Sequence, residues 1–136
     1  MSPHEVLHPA NWTPARGYAN GIAAEGRMVF TGGLIGWTAE QRLDSDDFVA
    51  QAAQALRNVV EVLACAGAKP EHLVRLTWYV TDKREYLGSL KELGSAYRAI
   101  IGQHYPAMAL VQVVALVEDR ARVEIEATAV IPREAP

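Results

Sequence analysis

The chain has 136 residues, half of them hydrophobic and 21% charged, and 13 Lys and Arg against 16 Asp and Glu leave a formal charge of -3. That length suits one domain over residues 1–136 that buries roughly two-thirds of its unfolded surface, and the composition excludes disordered, collagen-like and coiled-coil chains. An acidic balance with no basic stripe excludes nucleic acid as the main partner.

The single cysteine, Cys65, rules out an internal disulfide and fits a reducing compartment. No apolar run approaches the length of about 18 residues needed to span a membrane. Met1 to Asn11 lacks the basic-then-apolar order of a signal peptide, so a cytoplasmic location is expected. Prolines cluster at both ends, and residues 1–15 read as a loosely ordered N-terminal segment.

In chain order, Ile22, Val29 and Phe30 flank the turn-like dipeptide Glu25-Gly26 and predict a β-hairpin over Ala19 to Thr31. Gly32, Gly33 and Gly36 follow, allowing close backbone approach or positive φ. From about Asp46 to Ala66, apolar residues recur at three- and four-residue spacing, the mark of a helix with one buried face. Asp44 or Ser45 can cap its start, and Gly67 with Pro70 closes it. Leu73 to Val80, rich in β-branched and aromatic residues, reads as a strand with Val74, Leu76, Trp78 and Val80 on one face. Asp82 and Glu85 form a capping-box-like pair that opens a second helix. Its stripe is Tyr86, Leu90, Leu93, Tyr97, Ile100 and Ile101, and Gly102 with Pro106 ends it. Two strands, Ala109 to Val117 and Ala121 to Val130, meet at a turn around Glu118-Asp119.

The predicted order is ββαβαββ, an α+β fold with two helices on one face of a mostly antiparallel sheet. The other face would carry Glu124 and Thr128 among apolar residues, which suits a subunit interface with polar positions kept for a ligand.

Taken alone, the chemistry-bearing residues say little. His4, His8, His72 and His104 show no metal-ligand spacing, and no metal site is expected. Cys65 has no histidine or Cys-x-x-C partner nearby and reads as a small buried residue. The glycines of Gly32 to Gly36 lack the Lys-Ser/Thr of a phosphate-binding loop. Glu124 and Glu126, about 6–7 Å apart on one strand face, read as solvated carboxylates.

Several segments together resemble the YjgF/Rid family, the reactive intermediate deaminases. They are Gly17-Tyr18-Ala19-Asn20-Gly21, Phe30-Thr31-Gly32-Gly33, the stretch from Asn58 to Gly67 with the following strand, Tyr105-Pro106-Ala107-Met108, Val111-Gln112-Val113, and Val123-Glu124-Ile125-Glu126-Ala127-Thr128-Ala129. The resemblance runs through nearly the whole chain in order. It implies a chorismate-mutase-like α+β fold assembled as a homotrimer, with small-molecule pockets between subunits and no cofactor or metal, while the acidic charge and the lack of a long apolar run leave no nucleic acid or membrane partner expected. It also implies hydrolysis of small imines or enamines to a carbonyl compound and ammonia. Matched by position, Glu124 corresponds to the glutamate that orients or activates water, Tyr18 to the tyrosine that closes the pocket, and Thr31 and Gly32 to the hydroxyl residue and glycine that line it. Gly33 lies beside them, and Leu110 matches a position that offers its backbone to the ligand.

One departure changes the expected substrate. Where deaminases of this family carry an arginine that forks onto the substrate carboxylate, this chain has Met108. A lost charge-assisted bond costs roughly 1.5–3 kcal/mol, so a substrate without the usual α-carboxylate is expected. Gly94 stands where deaminases often have asparagine. Arg16 and Arg75 are the candidate replacements for the missing anchor. Two readings follow: a cofactor-independent imine or enamine deaminase, or a trimeric small-molecule-binding or stress-protective protein that keeps the scaffold without the reaction.

Overall fold

The computed structural model describes residues 3–133. In chain order they form β1 (Glu5–Leu7), β2 (Gly21–Ala23), β3 (Arg27–Phe30), α1 (Phe48–Ala64), β4 (Leu73–Val80), α2 (Lys83–Leu87), α3 (Leu90–Ile100), β5 (Ala107–Gln112) and β6 (Val123–Ile131), with a single 3-10 turn at Pro70–His72. A four-stranded sheet has the order β3-β6-β4-β5. Its pairings are antiparallel except β4 with β5, which run parallel through the crossover made by α2 and α3. The architecture is α+β, with helices on one sheet face, as the periodicities require.

α1 forms because Phe48, Ala52, Ala55, Leu56, Val59 and Leu63 fall on one side and are all buried. They pack on Leu76, Trp78 and Val80 of β4 and on Val123, Ile125, Ala127 and Ala129 of β6, with Leu93, Tyr97 and Ile101 closing the layer. The N-cap is Asp47, whose carboxylate accepts from Ala50 N at 2.9 Å, and neither Asp44 nor Ser45 fills that role. Asp46 turns away to pair with Arg120 at 2.8 Å. Cys65, expected to be buried, is exposed at the end of α1.

The expected hairpin over Ala19 to Thr31 does not close. β2 pairs with β1, placing Val6 opposite Ile22, while β3 joins the main sheet beside β6. Glu25-Gly26 therefore carries the chain from a small ribbon to the sheet. Glu5–Leu7, within the segment read as loosely ordered, is the ribbon's other strand.

The second helix is two helices, interrupted at Gly88 and Ser89. Asp82 caps α2 by accepting from Arg84 N at 2.9 Å. Glu85 does not complete a capping box, because its carboxylate pairs with Arg122 on the approach to β6. In β4 the alternation fails at its start: a bulge between Leu73 and Arg75 turns Leu73 into the core together with Leu76, Trp78 and Val80. β5 begins at Ala107 and stops at Gln112, shorter than the expected strand, and the loop beyond it exposes Val114 and Val117 fully.

Candidate functional site

The segment that follows β3 is held by backbone pairing and by one side chain. Thr31 N donates to Ala127 O at 2.9 Å, while Thr31 Oγ1 accepts from Ala127 N at 3.0 Å and donates to Gly32 O at 2.8 Å. The chain then steps out of the ladder through Gly32 and Gly33 and rejoins it where Leu34 and Ile125 exchange both bonds, at 2.8 and 2.9 Å. Asn58 on α1 donates to Ile35 O at 3.0 Å and Trp37 O at 2.9 Å, clamping the segment to the helix layer. The Thr31 hydroxyl is thus engaged on both sides with backbone, and its visible work is to shape the Gly32-Gly33 step.

That step lies over Glu124. A Cβ placed on Gly33 would sit 2.4 Å from Glu124 Oε2 and 2.8 Å from its Cδ, so only a residue without a side chain lets the loop approach the carboxylate this closely. Glu124, half-buried, points to the sheet face away from the helices, as do Glu126 and Thr128 on β6 and Arg75, Thr77 and Tyr79 on β4. The two glutamates differ in their neighbours. Glu126 accepts from the Tyr79 hydroxyl at 2.8 Å, and this bond raises the Tyr79 pKa above its ordinary value. The Glu124 carboxylate forms no hydrogen bond or ion pair with any described residue. Its lone pairs are available to water or a ligand.

A second feature lies on the opposite face. Met108 and Leu110 on β5 stand beside Leu76 and Trp78 of β4, on the helix side of the sheet. Ahead of them, Ala19 N donates to Pro106 O at 3.0 Å and Ala19 bridges to Ala107, which brings the Gly17-Tyr18 segment against the start of β5. Between this junction and α3 opens a cavity of about 300 Å³, bordered by Arg16, Tyr18, Met108 and Arg98. Its aromatic walls are rigid: Tyr97 stacks on Tyr105 with centroids 5.4 Å apart, and Trp78 meets Tyr86 edge-on at 6.2 Å. Burial raises the pKa of Tyr86 and, more strongly, of Tyr97, whose hydroxyl donates to His104 O. The buried Trp78 indole N–H has no hydrogen-bond partner among the described residues. Tyr18 also borders a more open cavity of about 500 Å³ under the N-terminal ribbon.

The sequence-derived residues therefore form two groups. Thr31, Gly32, Gly33 and Glu124 gather at the outer face, while Arg16, Tyr18, Met108 and Leu110 gather on the helix side of the same sheet. A single chain does not bring the two groups together. Arg16 borders the cavity beside Met108, whereas Arg75 lies on the other face with Phe30, Thr77 and Thr128 and cannot stand in for an arginine at position 108 within one chain. Sequence reasoning overlooked Arg98. The signal was available as Gly94 and Arg98 at i, i+4, the spacing that stacks a long side chain over the preceding turn.

Residues 9–131 match the family model described as endoribonuclease L-PSP, and the chain belongs to that family, which is the YjgF/Rid family. It is 34% identical over 116 residues to the 2-iminobutanoate/2-iminopropanoate deaminase of Salmonella typhimurium, covering 83% of this chain and 86% of the relative. The crystal structure of YyfB, a Rid family protein of unknown function from Yersinia pestis, superposes with a TM-score of 0.83 at 31% identity, covering 94% of this chain and 98% of that one. Escherichia coli TdcF with bound serine superposes with a TM-score of 0.66 at 29% identity, covering 93% of this chain and 98% of that one. No helix among the described residues is long and apolar enough to cross a membrane.

Proposed function

We propose that the protein is a cofactor-independent hydrolase of small imines or enamines. The observation that carries this reading is the state of Glu124, a half-buried carboxylate covered by Gly33 and left without a partner among the described residues, while Glu126 two residues away is occupied by Tyr79. A carboxylate held in place and free on its lone pairs can orient one water and take one proton from it, which is the demand of the reaction. Water adds to the imine carbon, a proton passes to nitrogen, and collapse of the carbinolamine breaks the C–N bond to give the carbonyl and ammonia. The naming of the 34%-identical Salmonella relative as a 2-imino acid deaminase supports the same chemistry.

The working unit in this reading is a homotrimer. Each ligand cleft is completed by the outer face of one copy, with Glu124, Thr31, Gly32 and Gly33, and by the cavity of the next, with Tyr18, Met108, Leu110 and Arg16. The separation of these groups onto opposite faces of one sheet is what a shared site requires. With Met108 at the mouth of an aromatic cavity, the substrate is not a short 2-imino acid gripped at that position.

Ammonia release from imines generated in situ by an amino acid oxidase, from substrates with short and with aromatic side chains, tests the proposal. Turnover by the wild type and a loss of about a hundredfold or more in Glu124→Gln are expected. Turnover that survives the substitution removes Glu124 from the chemistry. The alternative, a binding protein that no longer catalyses, is favoured by Met108 alone and is indicated by ligand affinity without ammonia release from any imine.

A further inference from the structure

The cavity beside Met108 carries a cationic group that the motif comparison does not predict. Its border includes Arg16 and Arg98 and no Asp or Glu, in a chain whose formal charge is -3. Arg98, on the last turn of α3, folds back along the helix, as long helical side chains do, and lies over Gly94 one turn earlier. A Cβ on Gly94 would be 3.1 Å from Arg98 Nη1 and 3.8 Å from Cζ and Nη2. A bare glycine backbone leaves room for the guanidinium, and a side chain such as asparagine would take that space. Neither the Arg98 nor the Arg16 guanidinium has a hydrogen bond or ion pair with any described residue. The remaining walls are mostly apolar and aromatic and include Tyr18, Trp78, Tyr86, Tyr97, Tyr105 and Met108.

We infer that Arg98, seated over Gly94 and assisted by Arg16, is the anion anchor of this cavity, and that the ligand is a carboxylate carrying an aromatic or branched apolar body. The loss of an arginine at position 108 is thereby offset from the neighbouring helix. An arginine in the strand would hold a carboxylate close to the sheet. One on α3 leaves the strand side of the cavity to methionine and aromatic rings, which favour a larger apolar group. At about 300 Å³ the cavity is at the small end of the range for ligand sites, so it suits one ring and a short acid chain. The expectation of a neutral substrate rests on position 108, and an anchor at Arg98 replaces it with a carboxylate in this proposal. The substrate class so defined, 2-imino acids with bulky apolar side chains, rests on the deaminase reading above, while the anchor itself concerns binding only.

The experiment is a direct binding titration of phenylpyruvate, a stable 2-oxo acid, and of phenylacetone, which keeps the ring and ketone but lacks the carboxylate. It uses wild type, Arg98→Gln, Arg16→Gln and Gly94→Asn, with folding checked by circular dichroism. Wild type is expected to bind phenylpyruvate at least about tenfold more tightly than phenylacetone, because a charge-assisted fork contributes that much or more. Arg98→Gln and Gly94→Asn should erase the preference of phenylpyruvate over phenylacetone, and Arg16→Gln should reduce it less. Equal binding of the two probes, failure of phenylpyruvate to bind at millimolar concentration, or a preference untouched in Arg98→Gln would each overturn the anchor. Carboxylate-selective binding without ammonia release from any imine would keep the anchor and reject the deaminase reading.

Discussion

Two carboxylates two residues apart on β6 are set to different tasks by what surrounds them. Glu126 receives a tyrosine hydroxyl and is fixed, while Glu124 is covered by backbone alone and stays open. The position of that open carboxylate depends on residue 33. In Gly33→Ala the new methyl would meet Glu124 Oε2 at 2.4 Å and displace the side chain, since the end of a glutamate yields more easily than a strand backbone. The expected outcome is a fall in kcat of at least about tenfold with little change in thermal midpoint, because catalytic groups are sensitive to shifts of about 1 Å. An unchanged kcat would show that the carboxylate's placement is immaterial. Legibility in the sequence divides along the same line. Composition left Glu124 and Glu126 equivalent, the family motif separated them, and the reason for the separation lies in a tyrosine on another strand that no spacing rule connects to residue 126.

At the scale of elements, the chain reports clearly where one face is buried and poorly where neither is. α1 and β4 follow directly from the three-and-four spacing of Phe48 to Leu63 and the β-branched and aromatic content of Leu73 to Val80, because burial imposes those periods. β1 and β2 are three residues each and mostly exposed, so no pattern identifies them as partners. The break between α2 and α3 was hidden because Tyr86 and Leu90 keep helical spacing across Gly88 and Ser89. Gly26 shows how a misassigned turn can still be a fixed point. Its φ is +145°, and a Cβ there would overlap the Ile131 carbonyl oxygen at 2.0 Å. Both groups are backbone and neither can swing aside. Gly26→Ala is therefore expected to destabilise the protein by about 1–3 kcal/mol through strain where β3 meets the end of β6, read as a lower midpoint in chemical denaturation. An unaltered midpoint would mean that the β3–β6 corner is loose.

The whole molecule presents a sheet with helices on one side only. Met28, Phe30 and Val111 are 58%, 64% and 44% exposed, and the outer face mixes them with Arg75, Thr77 and Glu124. A bare, half-apolar sheet face of this kind is expected to be covered by further copies of the chain. Sedimentation equilibrium should give three times the mass of one chain, and Phe30→Glu should shift the protein toward monomer while circular dichroism stays native-like. A wild type that sediments as a monomer at micromolar concentration would reject the assembly and the shared cleft with it.

The division of the site across the two faces of one sheet has a consequence for mixtures. In the proposed trimer, chains carrying Glu124→Gln and chains carrying Arg98→Gln would each be damaged in one half of the cleft, and the halves would belong to different copies. Refolded together in equal amounts, they would form hybrid rings in which about a quarter of the clefts pair an intact face with an intact cavity. Two impaired preparations would complement one another in the test tube, whereas a site contained within one chain could never be restored by mixing.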